Sequence, residues 1–311
     1  MTSENGPTRR LENKPPPSNA SWIPPHSAIL NEAASLINRG GLGSASQAKN
    51  VSSTPSTPST PLRQSEEVNV ALDKYEKQFY PGQPKSLSGI AIRSFILGLV
   101  LSSALFLSAH LLSTHQAIWR IPFFLALLSL FHFLEFYTTS RANTSSATIS
   151  SFLLTSNGAA YAIAHTASLL ETALLHLVCP DAILPPAIHN LALALGIVLV
   201  AVGQGTRAAA MLTAGTNFSH VVRHTKAQSH ELVTTGVYGV FRHPSYFGFF
   251  WWSVGTQLVC GNIFCLAAFV GVLWKFFKSR IGGEEQLLVG FFGDEYVRYR
   301  QRTRVGIPFI K

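Results

Sequence analysis

The sequence predicts an all-α, polytopic membrane protein of about six transmembrane helices, with a helical hairpin and a cytosolic C-terminal segment. Of its 311 residues, 47% are hydrophobic and only 13% are charged, although the first fifth of the chain is strongly polar. Apolar runs recur from residue 89 onward, close to the length of about 20 residues that crosses a bilayer as a helix. The net charge of +9 comes from basic residues that flank these runs, which is typical of cytosolic membrane loops rather than of a nucleic-acid surface.

Two regions follow from this contrast: a disordered N-terminal extension over residues 1–85 and a membrane-embedded domain over residues 86–311. The extension contains a low-complexity Ser/Thr/Pro tract at residues 52–61, which cannot bury enough apolar surface to become ordered. No apolar stretch follows the N-terminus, so a cleavable signal peptide is not expected.

The first four spans are predicted at about 90–112, at 121–137, within 152–178 and within 188–211. The next apolar run, from Tyr246 to Phe277, is longer than one span and contains Gly261-Asn262 near its middle. Since Gly-Asn is a turn signal, this run predicts two short helices that form a hairpin. The hairpin would bring Arg280 and Glu284 back beside His243 and Tyr246.

Four ionisable residues fall in or beside these spans: Glu135, His165, Glu171 and His176. A polar residue at membrane depth raises a functional hypothesis by default. No partner spacing singles these four out, so interhelical hydrogen bonds or positions near the interface are the favoured interpretation. Three cysteines show neither a disulfide framework nor metal-ligand spacing, which predicts packing roles and no metal site.

The distribution of basic residues predicts the topology. From Lys275 to the end there are eight Lys or Arg and four acidic residues, and the loop at 213–242 is also basic. The positive-inside bias therefore places both segments in the cytosol. Six spans also put the N-terminal extension there and leave only Arg120 on the far side.

A chemically dense motif, Arg242-His243-Pro244-Ser245-Tyr246-Phe247-Gly248, stands where the basic loop meets the hairpin. Pro244 biases His243 away from helical geometry and suits the first turn of a helix. The motif therefore predicts a loop that ends at a helix N-terminus, with polar side chains and free N–H groups facing outward. A membrane-interface anchor is the alternative, since Arg, His and Tyr also gather there.

A second block of motifs closes the chain. Its members are Arg280, Glu284-Glu285, Phe291-Phe292-Gly293-Asp294-Glu295-Tyr296, Tyr299, Arg302 and Gly306-Ile307-Pro308-Phe309-Ile310. An amphipathic helix on the cytosolic leaflet would account for residues 284–304. It would not account for carboxylates beside the end of a membrane span.

Taken in order, these two blocks together with Gly236-Val237-Tyr238 resemble the isoprenylcysteine carboxyl methyltransferase family. The resemblance is motif by motif over about 215–310, and upstream, from about 88, it rests on the span pattern and fragments such as Gly215-Thr216-Asn217-Phe218-Ser219-His220. It implies an S-adenosylmethionine site covered by the C-terminal segment. The positions implied to bind this cofactor are Arg223, His230, Glu231, Leu232, Val233, Tyr238, His243, Pro244, Ser245, Tyr246 and Glu284.

The same resemblance implies that Arg280 faces the prenylcysteine substrate as the catalytic and substrate-binding residue. The family often has a neutral amide at the position of Arg223. Gly282-Gly283 stand where relatives carry more acidic residues, which leaves open whether Glu284 or Glu285 is the cofactor ligand.

The implied function is methylation of the C-terminal prenylcysteine α-carboxylate of processed Cys-a-a-X proteins, such as Ras-like small GTPases. The implied location is the endoplasmic reticulum membrane, with the active site facing the cytosol and membrane lipid, not nucleic acid, as the other partner. Because membrane sterol reductases share the Arg-His-Pro-x-Tyr piece, a nicotinamide-dependent reductase is one alternative. A non-catalytic membrane scaffold is another.

Overall fold

The computed structural model describes residues 61–178, 185–226 and 230–311, and within them the chain is helical and has no strand. The helices are α1 (Pro61–Lys77), α2 (Leu87–Ser113), α3 (Arg120–Ala142), α4 (Gly158–Val178), α5 (Pro186–Ala214), α6 (Pro244–Cys260), α7 (Phe264–Phe292) and α8 (Asp294–Arg302). A single isolated bridge pairs Phe241 with Arg304 in parallel orientation.

The chain divides into two compact units between Lys77 and Gln78. In the first unit, α1 carries one ion pair along its surface, from Lys77 Nζ to Asp73 at 2.6 Å. This helix lies inside the segment that composition assigns to a disordered extension, of which residues 1–60 lie outside the described part. Its sequence contains no Gly and no Pro after the first residue, so nothing local opposes helix formation.

Three of the helical segments are long and apolar enough to cross a membrane by length and composition: Leu87–Ser113, Ala117–Ala142 and Ala187–Asn217. They coincide with the first, second and fourth predicted spans. Large apolar side chains project outward from α2, including Phe95 at 67% and Phe106 at 77% exposure. A helix that is apolar on its outer face matches a lipid environment.

The predicted hairpin is present. The helix α6 ends at Cys260, Gly261 adopts φ +75°, and α7 begins at Phe264. Only glycine adopts this left-handed conformation without steric cost. The second helix continues well beyond the apolar run, to Phe292. As a result its polar half carries Arg280 and the Glu284-Glu285 pair back beside the start of α6.

Interhelical hydrogen bonding is confirmed for three of the four ionisable residues in the spans. Glu135 binds a guanidinium of α5. Glu171 accepts hydrogen bonds from three backbone N–H groups at the start of α7, at 2.7–2.8 Å. His176 Nε2 donates to the Cys260 carbonyl at 2.9 Å. The ring of His165 is buried among aromatic rings, and its Nδ1 has no hydrogen-bond partner in the part of the chain that the structure describes.

Among the described helices, α5 and α6 share the most extensive contact, and glycines make their close approach possible. Gly196 and Gly203 on α5 face Gly255 and Gly248 on α6, two turns apart on each helix. A Cβ at Gly203 would lie 2.5 Å from the backbone nitrogen of Trp252. Small residues let transmembrane helices approach until their backbones touch, so these positions fix the register of α6 against α5.

Replacing Gly203 by Ala tests this contact. The added methyl group would meet α6 backbone, which cannot rotate away, so Gly203→Ala should lower the free energy of unfolding by about 1–3 kcal/mol. Gly205→Ala is the matched control, because a Cβ there meets nothing within 4 Å and alanine favours helix. Thermal unfolding of both variants in detergent checks this, and equal melting temperatures would contradict the glycine contact.

Candidate active site

The motif at residues 242–248 occupies the junction between the loop and α6. His243 is the residue before the helix and Pro244 is its first residue, which is a position that proline favours. The backbone of this junction pairs with the C-terminal segment: Arg242 N–H donates to the Arg304 carbonyl at 2.9 Å, and Arg304 N–H donates to the Val240 carbonyl at 3.1 Å. The C-terminal segment therefore holds the motif in place.

Glu285 neutralises Arg242 and also binds the imidazole of His243. Its carboxylate accepts from Arg242 Nε at 2.5 Å, from His243 Nε2 at 3.2 Å and from Arg300 Nη1 at 3.4 Å. The side chain is buried, and burial alone would favour the neutral acid. The hydrogen bonds from His243 and Arg242 outweigh burial and lower the pKa of Glu285 to about 2. This carboxylate therefore remains ionised and joins α6, α7 and α8.

A cavity of about 170 Å³ opens in front of the motif. Ten of the eleven positions implied to bind the cofactor line it: His230, Glu231, Leu232, Val233, Tyr238, His243, Pro244, Ser245, Tyr246 and Glu284. Arg223 lies outside this wall and donates to the Thr216 carbonyl at 3.3 Å. Glu285 is also absent from the wall. The two adjacent carboxylates therefore stand on different sides of α7.

Arg280 does not line the cavity, but it binds two residues that do. Its Nε donates to the Tyr246 phenol at 2.9 Å, and its Nη2 donates to the His220 carbonyl at 2.8 Å. The same phenol donates to Glu284 Oε2 at 2.6 Å. One hydroxyl group thus links the guanidinium beside the cavity to the carboxylate inside it.

Two buried polar atoms in the cavity wall, His230 Nδ1 and Tyr296 Oη, have no hydrogen-bond partner among the described residues. Burial lowers the pKa of His230 below its ordinary value, and the positive charges of Arg223 and Lys226 lower it further. The imidazole is therefore neutral at neutral pH. Unsatisfied buried polar atoms are costly, so this wall suits a ligand that offers hydrogen-bonding groups.

Several residues of this wall were not assigned to the cofactor site from the sequence, although most of them belong to motifs named above. Among them are Arg207, Asn217, Phe218, His220, Leu288, Phe292, Tyr296 and Tyr299. Of these, Arg207 has the most extensive polar contacts: its Nη2 donates to Glu135 Oε2 and its Nη1 to Ser245 Oγ, both at 2.8 Å, and its Nε also donates to Glu135. His220 Nε2 donates to the same carboxylate at 3.0 Å. The sequence offered one signal for the pair of Arg207 and Glu135: an arginine near the end of one apolar span and a glutamate within another.

Comparison with known proteins finds methyltransferases. The model of the isoprenylcysteine carboxyl methyltransferase (ICMT) family matches residues 194–290. The chain is 43% identical over 230 residues to the protein-S-isoprenylcysteine O-methyltransferase of Saccharomyces cerevisiae, covering 72% of this chain and 92% of that protein. The chain belongs to this family.

Two further matches agree with membership of the isoprenylcysteine carboxyl methyltransferase family. The Homo sapiens protein-S-isoprenylcysteine O-methyltransferase is 41% identical over 223 residues, which are 71% of this chain and 75% of that protein. A solved structure of the eukaryotic intramembrane Ras methyltransferase ICMT superposes with a TM-score of 0.67 at 34% identity, covering 81% of this chain and 88% of that one. The described fold is thus that of this methyltransferase family.

The contrast between Glu285 and Glu284 gives a stability prediction. Glu285→Gln leaves Arg242 without its buried counter-charge, which should cost about 3–5 kcal/mol. Glu284→Gln, one residue earlier and partly exposed, should cost less than about 1 kcal/mol. Thermal unfolding of the two variants in the same detergent measures this difference.

The pH dependence provides a second check on the same pair. A carboxylate whose pKa is depressed on folding, here from 4.5 to about 2, stabilises the fold fully above its unfolded value. The advantage of the parent chain over Glu285→Gln should therefore shrink as the pH falls from about 4.5 towards 2. An advantage that stays constant over this range would contradict the ion cluster.

Proposed function

We propose that this chain transfers a methyl group from S-adenosylmethionine to the α-carboxylate of a C-terminal farnesyl- or geranylgeranyl-cysteine, forming a methyl ester. Family membership supports the reaction. The single structural observation that carries it here is the chain Arg280–Tyr246–Glu284 at the cavity edge. The acceptors are processed Cys-a-a-X proteins, including Ras-like small GTPases. The sterol reductase and scaffold alternatives are not favoured, because the curated relatives are methyltransferases.

The cavity wall fits the proposed methyl donor. When bound, S-adenosylmethionine supplies an electrophilic methyl group on a positively charged sulfur. Glu284 accepts hydrogen bonds from ribose hydroxyls or pairs with the ammonium group of the cofactor. His230 Nδ1 and Tyr296 Oη provide unsatisfied polar atoms for it. Because the His230 imidazole is neutral, it does not repel a cation.

The remaining implied positions form the rest of this proposed site. Backbone and side-chain groups of Glu231, Leu232 and Val233 line one wall, and those of His243, Pro244 and Ser245 line another. Tyr238 and Tyr246 offer aromatic faces for stacking or cation–π contact. Arg223 contributes at a distance, through the positive charge that helps to keep His230 neutral.

The substrate carboxylate needs placement more than activation. Its solution pKa of about 3.3–3.7 makes it an ionised nucleophile at neutral pH, so no general base is required. Arg280 docks this carboxylate with its guanidinium; its Nη1 has no hydrogen bond within the described part of the chain. Alignment of reacting groups supplies up to roughly 7–11 kcal/mol of the barrier reduction.

The membrane supplies the substrate. In the proposed topology, α2 to α6 and the first half of α7 form six spans of the endoplasmic reticulum membrane. The motif, the loop at 213–242 and the C-terminal segment then face the cytosol, where the positive-inside bias puts them. The prenyl tail reaches Arg280 from the lipid, through an apolar slot between spans.

Methyl transfer to a short farnesylcysteine acceptor tests the function and the roles together. The purified chain should transfer labelled methyl from S-adenosylmethionine. Arg280→Ala should bind S-adenosylhomocysteine nearly normally but lose about 2–5 kcal/mol of transition-state stabilisation, and Arg280→Lys should restore only part of it because lysine lacks the planar fork. Glu284→Gln should instead weaken binding of S-adenosylhomocysteine, measured by calorimetry.

Lys278→Ala is the matched control for Arg280, since Lys278 is an exposed cation on the same helix that stacks on Trp274 instead of Tyr246. It should leave transfer unchanged. Loss of cofactor binding in folded Arg280→Ala would reject the assigned roles without rejecting the reaction. Binding of NADPH with no methyl transfer would reject the proposed function itself.

The proposed topology predicts a shared face for two exposed positions, Thr225 and Gln301. Single cysteines placed there, in a background without the three native cysteines, should both react with an impermeant thiol reagent added outside sealed microsomes of cytosol-out orientation. Protection of one of them until detergent is added would contradict a common cytosolic face.

A further inference from the structure

The last residues of the chain form a strap, defined here as residues 303–311, that runs along the outside of the hairpin. Two tryptophans fasten it: Trp251 Nε1 donates to the Gly306 carbonyl at 3.1 Å, and Trp274 Nε1 donates to the Pro308 carbonyl at 2.9 Å. Val305 and Ile307 are buried against the same helices. The strap is thus fixed to both arms of the hairpin.

The strap presents one aromatic side chain outward. Phe309 is 90% exposed and has φ +62°. A bulky residue rarely adopts this left-handed conformation, which costs free energy. The buried side chain of Ile307, two residues earlier, and the tryptophan hydrogen bonds keep the backbone in this state. A bare phenyl ring held away from the protein needs an apolar environment of its own.

A groove of about 540 Å³ lies along the strap and is positively charged. Its cationic residues are Arg242, which Glu285 neutralises, Arg300, Arg304 and Lys311. No Asp or Glu lines it among the described residues, and the side chains of Arg304 and Lys311 have no ion pair within that same part of the chain. Arg300 pairs weakly: its side chain is 54% exposed, and its Nη1 lies 3.4 Å from Glu285, which also binds Arg242. The groove therefore offers uncompensated positive charge.

The depth of the strap relates this charge to the membrane. Trp251 lies seven residues into α6, about 10 Å along its axis at 1.5 Å per residue. Trp274 lies just before the end of the apolar run of α7 at Phe277. Tryptophans at such depths mark the interface between headgroups and acyl chains. In the proposed topology, the strap and Phe309 therefore lie at this boundary, with the cationic groove on its aqueous side.

We propose that this groove binds the headgroup of an anionic membrane lipid, while Phe309 inserts at the boundary with the acyl chains. The uncompensated cations recognise the negative charge, and the interfacial depth selects a lipid rather than an acidic segment of a soluble protein. The site lies on the opposite side of Arg242 from the cofactor cavity, and Arg242 lines both. The proposal goes beyond methyl transfer and does not require it.

The test compares spin-labelled phosphatidylserine with spin-labelled phosphatidylcholine, each at a small fraction in phosphatidylcholine vesicles that contain the purified full chain. The protein should immobilise the anionic label preferentially. Arg304→Gln/Lys311→Gln should reduce this preference by about fivefold for each charge removed. Arg298→Gln/Arg302→Gln is the matched control, since both residues are exposed on α8, neither lines the groove and the charge change is the same.

Two measurements distinguish the effect of the groove's positive charge from the effect of Phe309 insertion. In the parent chain, added salt should weaken the preference for phosphatidylserine, because exposed charges are screened. Phe309→Asn tolerates the left-handed backbone and should lower immobilisation of both labels without changing their ratio. Equal immobilisation of the two labels by the parent chain, a preference that salt leaves intact, or an equal loss in both double variants would overturn the proposal.

Discussion

The backbone contact between α5 and α6 is the constraint on which the site depends. A Cβ at Gly248 would lie 2.8 Å from both the backbone nitrogen and the Cβ of Arg207. Lipid tails are as apolar as the helices, so burial of apolar surface does not draw helices together in a membrane, and close packing must. The glycines let Arg207 reach Ser245 across this contact. The position of the motif at residues 242–248 therefore depends on the glycines at the contact between α5 and α6.

Two buried carboxylates then stabilise what the glycines bring together. Glu135 neutralises Arg207, which binds Ser245, and Glu285 neutralises Arg242 beside His243. Neither pair is a strong source of stability, because desolvation offsets most of the attraction. Their effect is orientation: each guanidinium is fixed at one edge of the cavity. Removing either carboxylate would leave an unpaired charge at the same loop.

The helices of the second unit were predictable where they rest on local signals. The length of the apolar runs predicted α2, α3 and α5, and the Gly261-Asn262 turn signal predicted the hairpin. The membership of the cavity wall was predictable mainly for residues within the motifs. Contacts such as Arg207 with Glu135, 72 residues apart, depend on how helices pack, and no periodicity encodes that. The helix at 61–77 was missed because the neighbouring Ser/Thr/Pro tract dominated the composition of the whole segment.

Sequence alone also could not choose between Glu284 and Glu285, since both suit a cofactor carboxylate. Consecutive residues of an α-helix point about 100° apart, so only the placement of α7 assigns one to the ion cluster and the other to the cavity. Tyr246 completes the division. Its hydroxyl donates to Glu284 and accepts from Arg280 at once, as a phenol can. The two charges are thereby held at a fixed spacing without pairing directly, which leaves the carboxylate for the methyl donor and the guanidinium for the substrate.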